Sequence, residues 1–314
     1  MAERVQPAAS VPSDPGLPRR IVGGTWRGIR LVSQNRAGLV GLILLAFFTL
    51  IAIFGSWIAP QDPGAASSYS SHILAPPSSA HWLGTEENGR DVLSLLILGT
   101  RVSMIVGISA ALVSAVIGGI IGISAGFFGG WVDHSLTAVD DWFLVIPFLP
   151  LAIVLVSLLG QHAQNYRFGQ ISIVIIVIGV TGWAGTSRII RSQVLSVKER
   201  MFLERSKGLG ASTFWIMRKQ VLPNVLPLIF ANTVLIVAIA ILSESTLSFL
   251  GLGDITHPSW GTMLDTANQA GAVSAGAWWY FIPPGICICL LVMAFTLVGY
   301  AIEELVNPRL RERR

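Results

Sequence analysis

Long apolar runs separated by short polar segments dominate this chain. A helix needs about 20 residues to cross the hydrocarbon core of a bilayer, and six runs are long enough. They fall near 38–59, 98–127, 135–159, 170–187, 225–250 and 280–302. The glycines of the second run favour close packing between helices, tilt, or extension beyond the bilayer. The pattern predicts an all-α membrane protein with six transmembrane helices.

Composition supports a membrane protein rather than a soluble one. Hydrophobic residues make up 53% of the chain and charged residues 12%, whereas soluble domains average about 25% charged residues. The net charge of +4 does not indicate a nucleic-acid partner, because the basic residues crowd into segments that flank the apolar runs. The partner that this distribution predicts is a lipid bilayer.

The lysines and arginines predict the orientation. Six arginines precede the first span, eight basic residues lie within 188–224 and four follow the last span, whereas 251–279 has none. Cytoplasmic segments are enriched in basic residues, so both termini and the 188–224 loop are expected inside. The predicted organisation is a partly disordered cytoplasmic tail (1–36), a six-span domain (37–303) with outer loops at 60–92 and 251–279, and a second cytoplasmic tail (304–314).

The outer loops carry two local predictions. Residues 83–91 are typical of a turn followed by a helix start, with Asp91 as the N-cap. In the second outer loop, Trp260, Trp278 and Trp279 form a candidate docking surface or a belt at the membrane interface. The belt is the preferred interpretation for Trp278 and Trp279.

The inner segment 188–224 is too highly charged to lie in lipid. At roughly 2.5 to 3.5 kcal/mol per cation, burying its eight basic residues would cost on the order of 20 kcal/mol. Residues 197–207 favour a helix whose apolar side includes Val197, Met201 and either Phe202 or Leu203. Gly208 and Gly210 then supply the permissive backbone that ends a helix.

A second short helix is expected after these glycines. Ser212 or Thr213 can cap its start, and Pro223 would end it. The segment is therefore predicted to be a helix-turn-helix outside the membrane. Two functions fit it equally well: a lever whose apolar side enters a groove of a soluble partner, or an amphipathic loop resting on anionic headgroups.

Several motifs together resemble one protein family. They are Glu204, Gly210 and Leu222-Pro223; Leu83-Gly84-Thr85 with Gly89-Arg90-Asp91-Val92-Leu93-Ser94; Leu247-Ser248-Phe249-Leu250-Gly251-Leu252-Gly253; and Pro258-Ser259-Trp260-Gly261 with Asn307-Pro308-Arg309-Leu310. The chain from about Asn35 to Arg311 resembles permease subunits of bacterial ATP-binding-cassette (ABC) importers. Within that family it is similar to the second, C-type permease of the dipeptide, oligopeptide and nickel subfamily.

The resemblance implies a type I importer permease whose coupling loop, between spans 4 and 5, contacts an ATPase. The residues it assigns to that contact are Glu204, Arg205, Ser206, Gly208, Gly210, Ala211, Leu222 and Pro223. Implied partners are a homologous permease that completes the substrate path, two ABC ATPase subunits or one fused ATPase, and an extracytoplasmic binding protein. The implied location is the bacterial inner membrane, and short peptides are the expected cargo, ahead of nickel complexes, glutathione or haem.

This chain departs from the family loop at three positions. The family usually places two alanines after the glutamate, where this chain has Arg205 and Ser206. Gln220 stands where an apolar residue is common. The Gly210 elbow and the Leu222-Pro223 exit remain.

No catalytic or cofactor site is predicted in the chain itself. It contains no G-x-x-x-x-G-K-[ST] phosphate loop, so ATP and Mg²⁺ are expected on partner ATPases. Its five histidines are scattered, and no G-x-S-x-G or H-E-x-x-H motif occurs. Cys287 and Cys289 are two residues apart in an apolar run and suggest neither a disulfide framework nor a metal site. The chain is therefore predicted not to be an enzyme.

Three acidic residues lie in or near apolar runs and leave a rival function open. Asp140, Asp141 and Glu244 could form a proton relay, as in a secondary transporter or channel. Alternatively they hydrogen-bond between helices or face a watery vestibule. No repeat between the first and last three spans supports the secondary transporter, and six spans are more than a membrane-anchored scaffold needs.

Overall fold

The computed structural model describes residues 32–33, 35–61, 73–163 and 169–306. Within them, regular structure is helical apart from one isolated β-bridge between Thr85 and Asp91. The helices are α1 (Arg36–Ile58), α2 (Val92–Phe128), α3 (Gly130–Val145), α4 (Phe148–Ala163), α5 (Gly169–Lys198), α6 (Met201–Gly208), α7 (Thr213–Ile216), α8 (Leu222–Leu247), α9 (Trp260–Gln269) and α10 (Trp278–Val306). Most of the two predicted tails, 1–36 and 304–314, lies outside the described residues, at 1–31, 34 and 307–314.

The predicted spans are five continuous helices and one broken one. The helices long and apolar enough to cross a membrane are α1, α2, α5, the continuous stretch Thr213–Leu252, and α10. The third predicted span is divided into α3 and α4, whose axes differ by 89°. Ile146 adopts an extended backbone with ψ 126°, because a residue before proline disfavours the helical region. With α3 and α4 counted as one span, the described chain has six.

The prediction that Pro223 ends a helix was wrong. Instead α7 continues through a π-helical turn, Met217–Val221, directly into α8, and Pro223 lies in the first turn of α8. A proline is tolerated there because the first amides of a helix have no partner within the helix. The stretch ends at a second π-helical turn, Ser248–Leu252, where Gly251 has φ 79°.

The segment predicted as the inner loop is largely helical. Helix α5 continues past the predicted end of its span to Lys198. The helix predicted over 197–207 is interrupted at Arg200, whose extended backbone (ψ 135°) precedes α6. Only residues 199–212 separate α5 from α7, and α6 lies within them.

The predicted close packing of the second span is confirmed. Gly118, Gly122 and Gly126 recur once per turn along α2 and face the backbone of α5. A Cβ atom at Gly118 would lie 2.6 Å from the Trp183 carbonyl oxygen, and one at Gly126 would lie 2.9 Å from that of Arg191. These distances leave no room for a side chain, so the two helices meet backbone to backbone, as small residues permit in membranes.

The two ends of the bundle have different structures, and we call them the α6 end and the α9 end. At the α6 end, Phe127 and Val197 share a buried cluster with Leu203, Ile216 and Val221. This cluster places α6 against the ends of α2 and α5 and the start of α8.

At the α9 end, the loops fold over the helix ends. Asp91 caps α2, as predicted, by accepting a bond from the Ser94 amide at 2.8 Å. Glu86, 1% exposed, pairs with Arg90 at 2.5 Å and lies 3.2 Å from the Tyr280 hydroxyl. These contacts fix the segment before α2 against the start of α10.

The tryptophans at the α9 end differ from the predicted belt. Trp260 is fully buried, and its Nε1 donates to the Leu96 carbonyl oxygen at 3.0 Å. Trp279 is 9% exposed and packs under the segment that contains Thr85. Of these three residues only Trp278, 49% exposed, has the accessibility that a belt position needs, so the belt interpretation was wrong for Trp279.

Gly122→Ala should destabilise the protein by about 1 to 3 kcal/mol, the usual cost of overpacking, because the new methyl group meets the Ser187 carbonyl oxygen. Gly119→Ala is the matched control, since its Cβ would lie at an ordinary 3.7 Å from Ile229. Thermal unfolding of the detergent-solubilised protein measures both. Equal midpoints for the two variants would contradict the close packing of α2 on α5.

Candidate functional site

The candidate coupling element is the hairpin formed by α6 and α7. One side of α6 packs on the protein: Leu203 is 1% exposed and lies in the cluster with Ile216 and Val221, and Ser206 is half-buried. The remaining residues of α6 after Leu203 are exposed: Glu204, Arg205, Lys207 and Gly208. The helix thus has a buried side that attaches it to this chain and a free side.

The turn after α6 is a Schellman motif, in which two amides beyond the helix return to its last carbonyls. The Gly210 amide donates to the Lys207 oxygen and the Ala211 amide to the Ser206 oxygen, each at 3.0 Å. Gly210 has φ 80°, and its missing Cβ would meet nothing within 4 Å. Glycine is therefore required here by backbone conformation rather than by space, which confirms the predicted elbow.

The start of α7 is capped as the sequence predicts. Ser212 has an extended backbone, and its hydroxyl oxygen accepts a hydrogen bond from the Trp215 amide at 3.3 Å. Such a cap satisfies one of the amides left without a partner at a helix start. The two short helices are therefore fixed by local bonds on both sides of the elbow.

The free side of the hairpin combines charges with large apolar side chains. Glu204, Arg205 and Lys207 are exposed. Five apolar residues are exposed beside them: Met201 (71%), Phe202 (37%), Leu209 (88%), Phe214 (71%) and Trp215 (46%). An exposed apolar group rimmed by charges is the composition expected of a protein-binding or membrane-binding surface.

The structure divides the residues assigned to the ATPase contact into two groups. Those on the exposed side of the hairpin are Glu204, Arg205, Gly208 and Gly210, with the exposed Pro223 at the foot of α8. Those turned toward this chain are Ser206, Ala211 and Leu222, which are partly buried. Ser206 makes its side-chain contact within this chain, to Gln220 at 2.5 Å.

Leu203 was left ambiguous by the sequence, which grouped it with Met201 on the apolar side. The extended Arg200 resets the helical register between Val197 and α6, so Leu203 is buried while Met201 is exposed. No pattern in the sequence marks that break.

Ion pairs between α3 and α5 support the hairpin from the membrane side. Arg191 contacts Asp133 through two bonds, of 2.5 and 2.7 Å, the bidentate geometry that makes such pairs strong. Arg188 pairs with Asp141 at 2.5 Å. These pairs hold α3 against the last turns of α5, directly before the segment that carries α6.

Asp140 lies between these pairs and is 1% exposed. Its Oδ2 atom accepts a bond from the Ser187 hydroxyl at 2.9 Å, and among the described residues nothing bonds to Oδ1. Thr186, which precedes Ser187 in α5, accepts a bond from Asn232 of α8 at 3.2 Å. The acidic residues of α3 thus belong to a polar layer between helices, as the hydrogen-bonding alternative predicts.

Glu244 is the centre of a second polar site, near the α9 end. The carboxylate is 2% exposed and accepts a bond from Ser248 at 2.8 Å. Ser103 of α2 lies 3.4 Å away and accepts a bond from the Trp260 amide at 3.3 Å. Glu244 therefore joins α8, α2 and the start of α9, which is also the arrangement of the hydrogen-bonding alternative.

The loop before α9 covers Glu244. Asp254 holds this loop by accepting bonds from the amide and hydroxyl of Thr256, at 2.8 and 2.5 Å, and by contacting His257 Nδ1 at 3.1 Å. Burial alone would raise the pKa of Asp254, but the bonds from Thr256 and His257 outweigh it and lower the pKa below its usual value. The lowered pKa favours the ionised form of Asp254, whose bonds to Thr256 and His257 fix the conformation of this loop.

Comparison with known proteins covers most of the chain. Residues 118–312 match the family described as the binding-protein-dependent transport system inner membrane component. Residues 25–77 match the N-terminal transmembrane domain of oligopeptide transport permease C.

Individual relatives share about a third of their residues with this chain. It is 35% identical to the dipeptide transport system permease protein DppC of Bacillus subtilis (strain 168), over 91% of this chain and 85% of the relative. It is 32% identical to the oligopeptide transport system permease protein OppC of the same organism, over 91% and 90%. It is 30% identical to the glutathione transport system permease protein GsiD of Pectobacterium atrosepticum, also over 91% and 90%.

Glu244→Gln should leave ATP-dependent uptake intact, because the amide keeps an acceptor for Ser248 and the serine hydroxyls can rotate to accept from its NH₂ group. Glu244→Leu should destabilise the protein by about 1 to 3 kcal/mol, since it leaves buried hydroxyls without an acceptor. Uptake and thermal unfolding of both variants test this. Loss of uptake in a normally stable Glu244→Gln protein would instead support the proton relay.

Proposed function

The chain belongs to the family of binding-protein-dependent transport system inner membrane components, and from this premise we propose that it is the C-type permease subunit of an ATP-driven importer of short peptides. A homologous permease would complete the substrate path. ABC ATPases would grip the α6–α7 hairpin, and an extracytoplasmic binding protein would deliver the cargo.

The observation that carries the proposal is the division of the hairpin into an attached side and a free side. Leu203 fixes α6 to the bundle, while Leu209 and Phe214 are 88% and 71% exposed. Large apolar groups of this kind lose contact with water when a helix docks in a groove, and neighbouring charges fix the orientation. A bound ATPase provides such a groove, and its movement would be passed to α5 and α8.

The sequence supports placing ATP on a partner. The chain has no phosphate-binding loop, so nucleotide and Mg²⁺ would be held by two ATPase subunits or by one fused ATPase. Binding and hydrolysis there would alternate the path between outward and inward openings.

The distribution of charge supports an orientation for the assembly. The α6 end carries the basic segment, which favours the cytoplasmic side of a bacterial inner membrane, and both termini would lie on that side. The α9 end would then face outward. Its segments at 60–92 and 251–279 would receive the binding protein, and the second of them contains no lysine or arginine.

The names of the relatives support peptides as the cargo. Two of those cited are dipeptide and oligopeptide permeases, and a third is a glutathione permease. Glutathione is itself a small peptide, so the shared chemistry is a short peptide with charged ends. Its selection would depend largely on the binding protein.

Uptake of a labelled dipeptide into proteoliposomes tests the proposal. The complete set contains this chain, its sister permease, the ATPases and the binding protein, with ATP on the ATPase side, and we expect uptake only in that set. Omitting ATP or the ATPases should abolish it. Labelled glutathione in parallel distinguishes the two peptide cargoes.

Transport by this chain alone would contradict the importer and support a secondary carrier or channel. Transport of glutathione but not of the dipeptide would retain the importer and change its cargo.

Gly210→Ala should lower uptake without preventing folding, because an L-residue with φ near 80° costs about 1 to 2 kcal/mol and the elbow would relax. Gly130→Ala is the matched control: Gly130 also has positive φ, 55°, and open space around its missing Cβ, but it is the first residue of α3. Uptake per assembled complex is the measurement. Equal effects of the two substitutions would show that strain, rather than the position of the hairpin, is responsible.

A further inference from the structure

Two polar residues, one in α6 and one in the π-helical turn before α8, are bonded to each other. Gln220 Nε2 donates to the Ser206 hydroxyl oxygen at 2.5 Å, and that hydroxyl donates to the Phe202 carbonyl oxygen at 3.0 Å. We call this contact the Ser206–Gln220 bridge. An alanine at position 206 or an apolar residue at position 220 could not form it, so the bridge needs both polar side chains.

The bridge joins α6 to the foot of α8. Ser206 lies on the attached side of α6, and Gln220 lies in the π-helical turn Met217–Val221, which continues into α8. Asn224, in the first turn of α8, donates to the Gln220 carbonyl oxygen at 2.7 Å. The bridge therefore reaches the base of a membrane helix without passing through the Gly210 elbow.

The elbow and the apolar cluster do not fix the angle between α6 and α8. The elbow bonds run from the Gly210 and Ala211 amides back to the last turn of α6 and do not reach α8. The Leu203 contact with Ile216 and Val221 is apolar and has no preferred direction. A hydrogen bond is directional, so it fixes the angle between α6 and α8 as well as their separation.

The bridge has a cost that argues against a purely stabilising role. Gln220 Oε1 is buried, and no described residue bonds to it. A buried acceptor without a partner is unfavourable, and an apolar residue at the same place would avoid it. A polar pair at such a site is better explained by the two elements that it positions, α6 and the start of α8.

We propose that Ser206 and Gln220 are positioning residues that lock α6 to the foot of α8, so that movement of the hairpin is transmitted to the membrane helices. This inference rests on the proposed function, since it requires that an ATPase moves α6. The exposed residues of α6 make the contact, and the bridge converts that contact into movement of α8. The helix then carries the movement to Glu244 and the α9 end.

The test is a double-mutant cycle in the complete proteoliposome system, with peptide transported per ATP hydrolysed as the readout. Ser206→Ala and Gln220→Leu should each lower this ratio about fivefold, the effect of losing one net hydrogen bond, while ATP hydrolysis continues. Either single substitution already breaks the bridge, so the ratio of the double variant should be no lower than that of either single variant.

Two further variants separate the lock from a general loss of hydroxyl groups. Ser206→Thr keeps the hydroxyl and should restore the ratio. Ser124→Ala removes an exposed hydroxyl that donates to the carbonyl four residues earlier, as Ser206 does, but lies in α2; it should leave the ratio unchanged. Unchanged ratios in both single variants, or a double variant whose loss equals the product of the single losses, would overturn the proposal.

Hydrogen exchange gives a readout that does not depend on cargo. Loss of the bridge should accelerate exchange of the α6 amides in the assembled complex for each single variant, and not for Ser124→Ala. If the wild-type complex fails to import peptide, the proposed function fails. The exchange rates of the α6 amides then test on their own whether the bridge holds α6 to α8. Unchanged exchange in α6 would then reject the bridge as a constraint on the hairpin.

Discussion

The backbone contact between α2 and α5 is the constraint on which the rest of the structure depends. Gly118, Gly122 and Gly126 allow the two helices to approach until the carbonyl oxygens of α5 lie where Cβ atoms would otherwise be. In a bilayer this packing supplies much of what the hydrophobic effect supplies in water, because lipid tails are as apolar as the helix surfaces. The end of α5, and with it the start of the hairpin, is therefore fixed relative to α2.

Polar contacts then set the position of each remaining helix against this pair. Asp133 and Asp141 hold α3 on α5 through two arginines, and Glu244 holds α8 near α2 through Ser103. Asp133, Asp141 and Glu244 are thus joined to partners on other helices. In this arrangement a displacement at the α6 end has a continuous path of contacts to the α9 end.

Much of the fold could be predicted from the sequence, because its strongest signals are local. Apolar runs of sufficient length predict spans, and Asp91, Ser212 and Gly210 predict helix ends through bonds to neighbouring residues. Pro223 was misread because a proline is compatible with both the end and the first turn of a helix, and only the continuous backbone through Met217–Val221 distinguishes them. Trp279 was misplaced because its burial depends on a segment almost 200 residues earlier in the chain.

In the candidate site, too, local features could be predicted from the sequence and contacts between distant residues could not. The elbow and the exposed charges of α6 follow from the sequence motif, whereas the pairing of Ser206 with Gln220 does not, since 14 residues and a turn separate them. Each of these residues, taken alone, is an isolated polar side chain in the sequence. The contact between Ser206 and Gln220 forms only in the folded hairpin, which brings the two side chains together.

The measurement that tests the central claim most directly is photo-cross-linking from the free side of α6 in the assembled complex. A photoreactive residue at Arg205, which is exposed, is compared with one at Gln269, exposed at the end of α9. The account predicts a covalent product with the ATPase from position 205 alone. A product with the ATPase from position 269, with none from 205, would contradict both the orientation and the role of the hairpin.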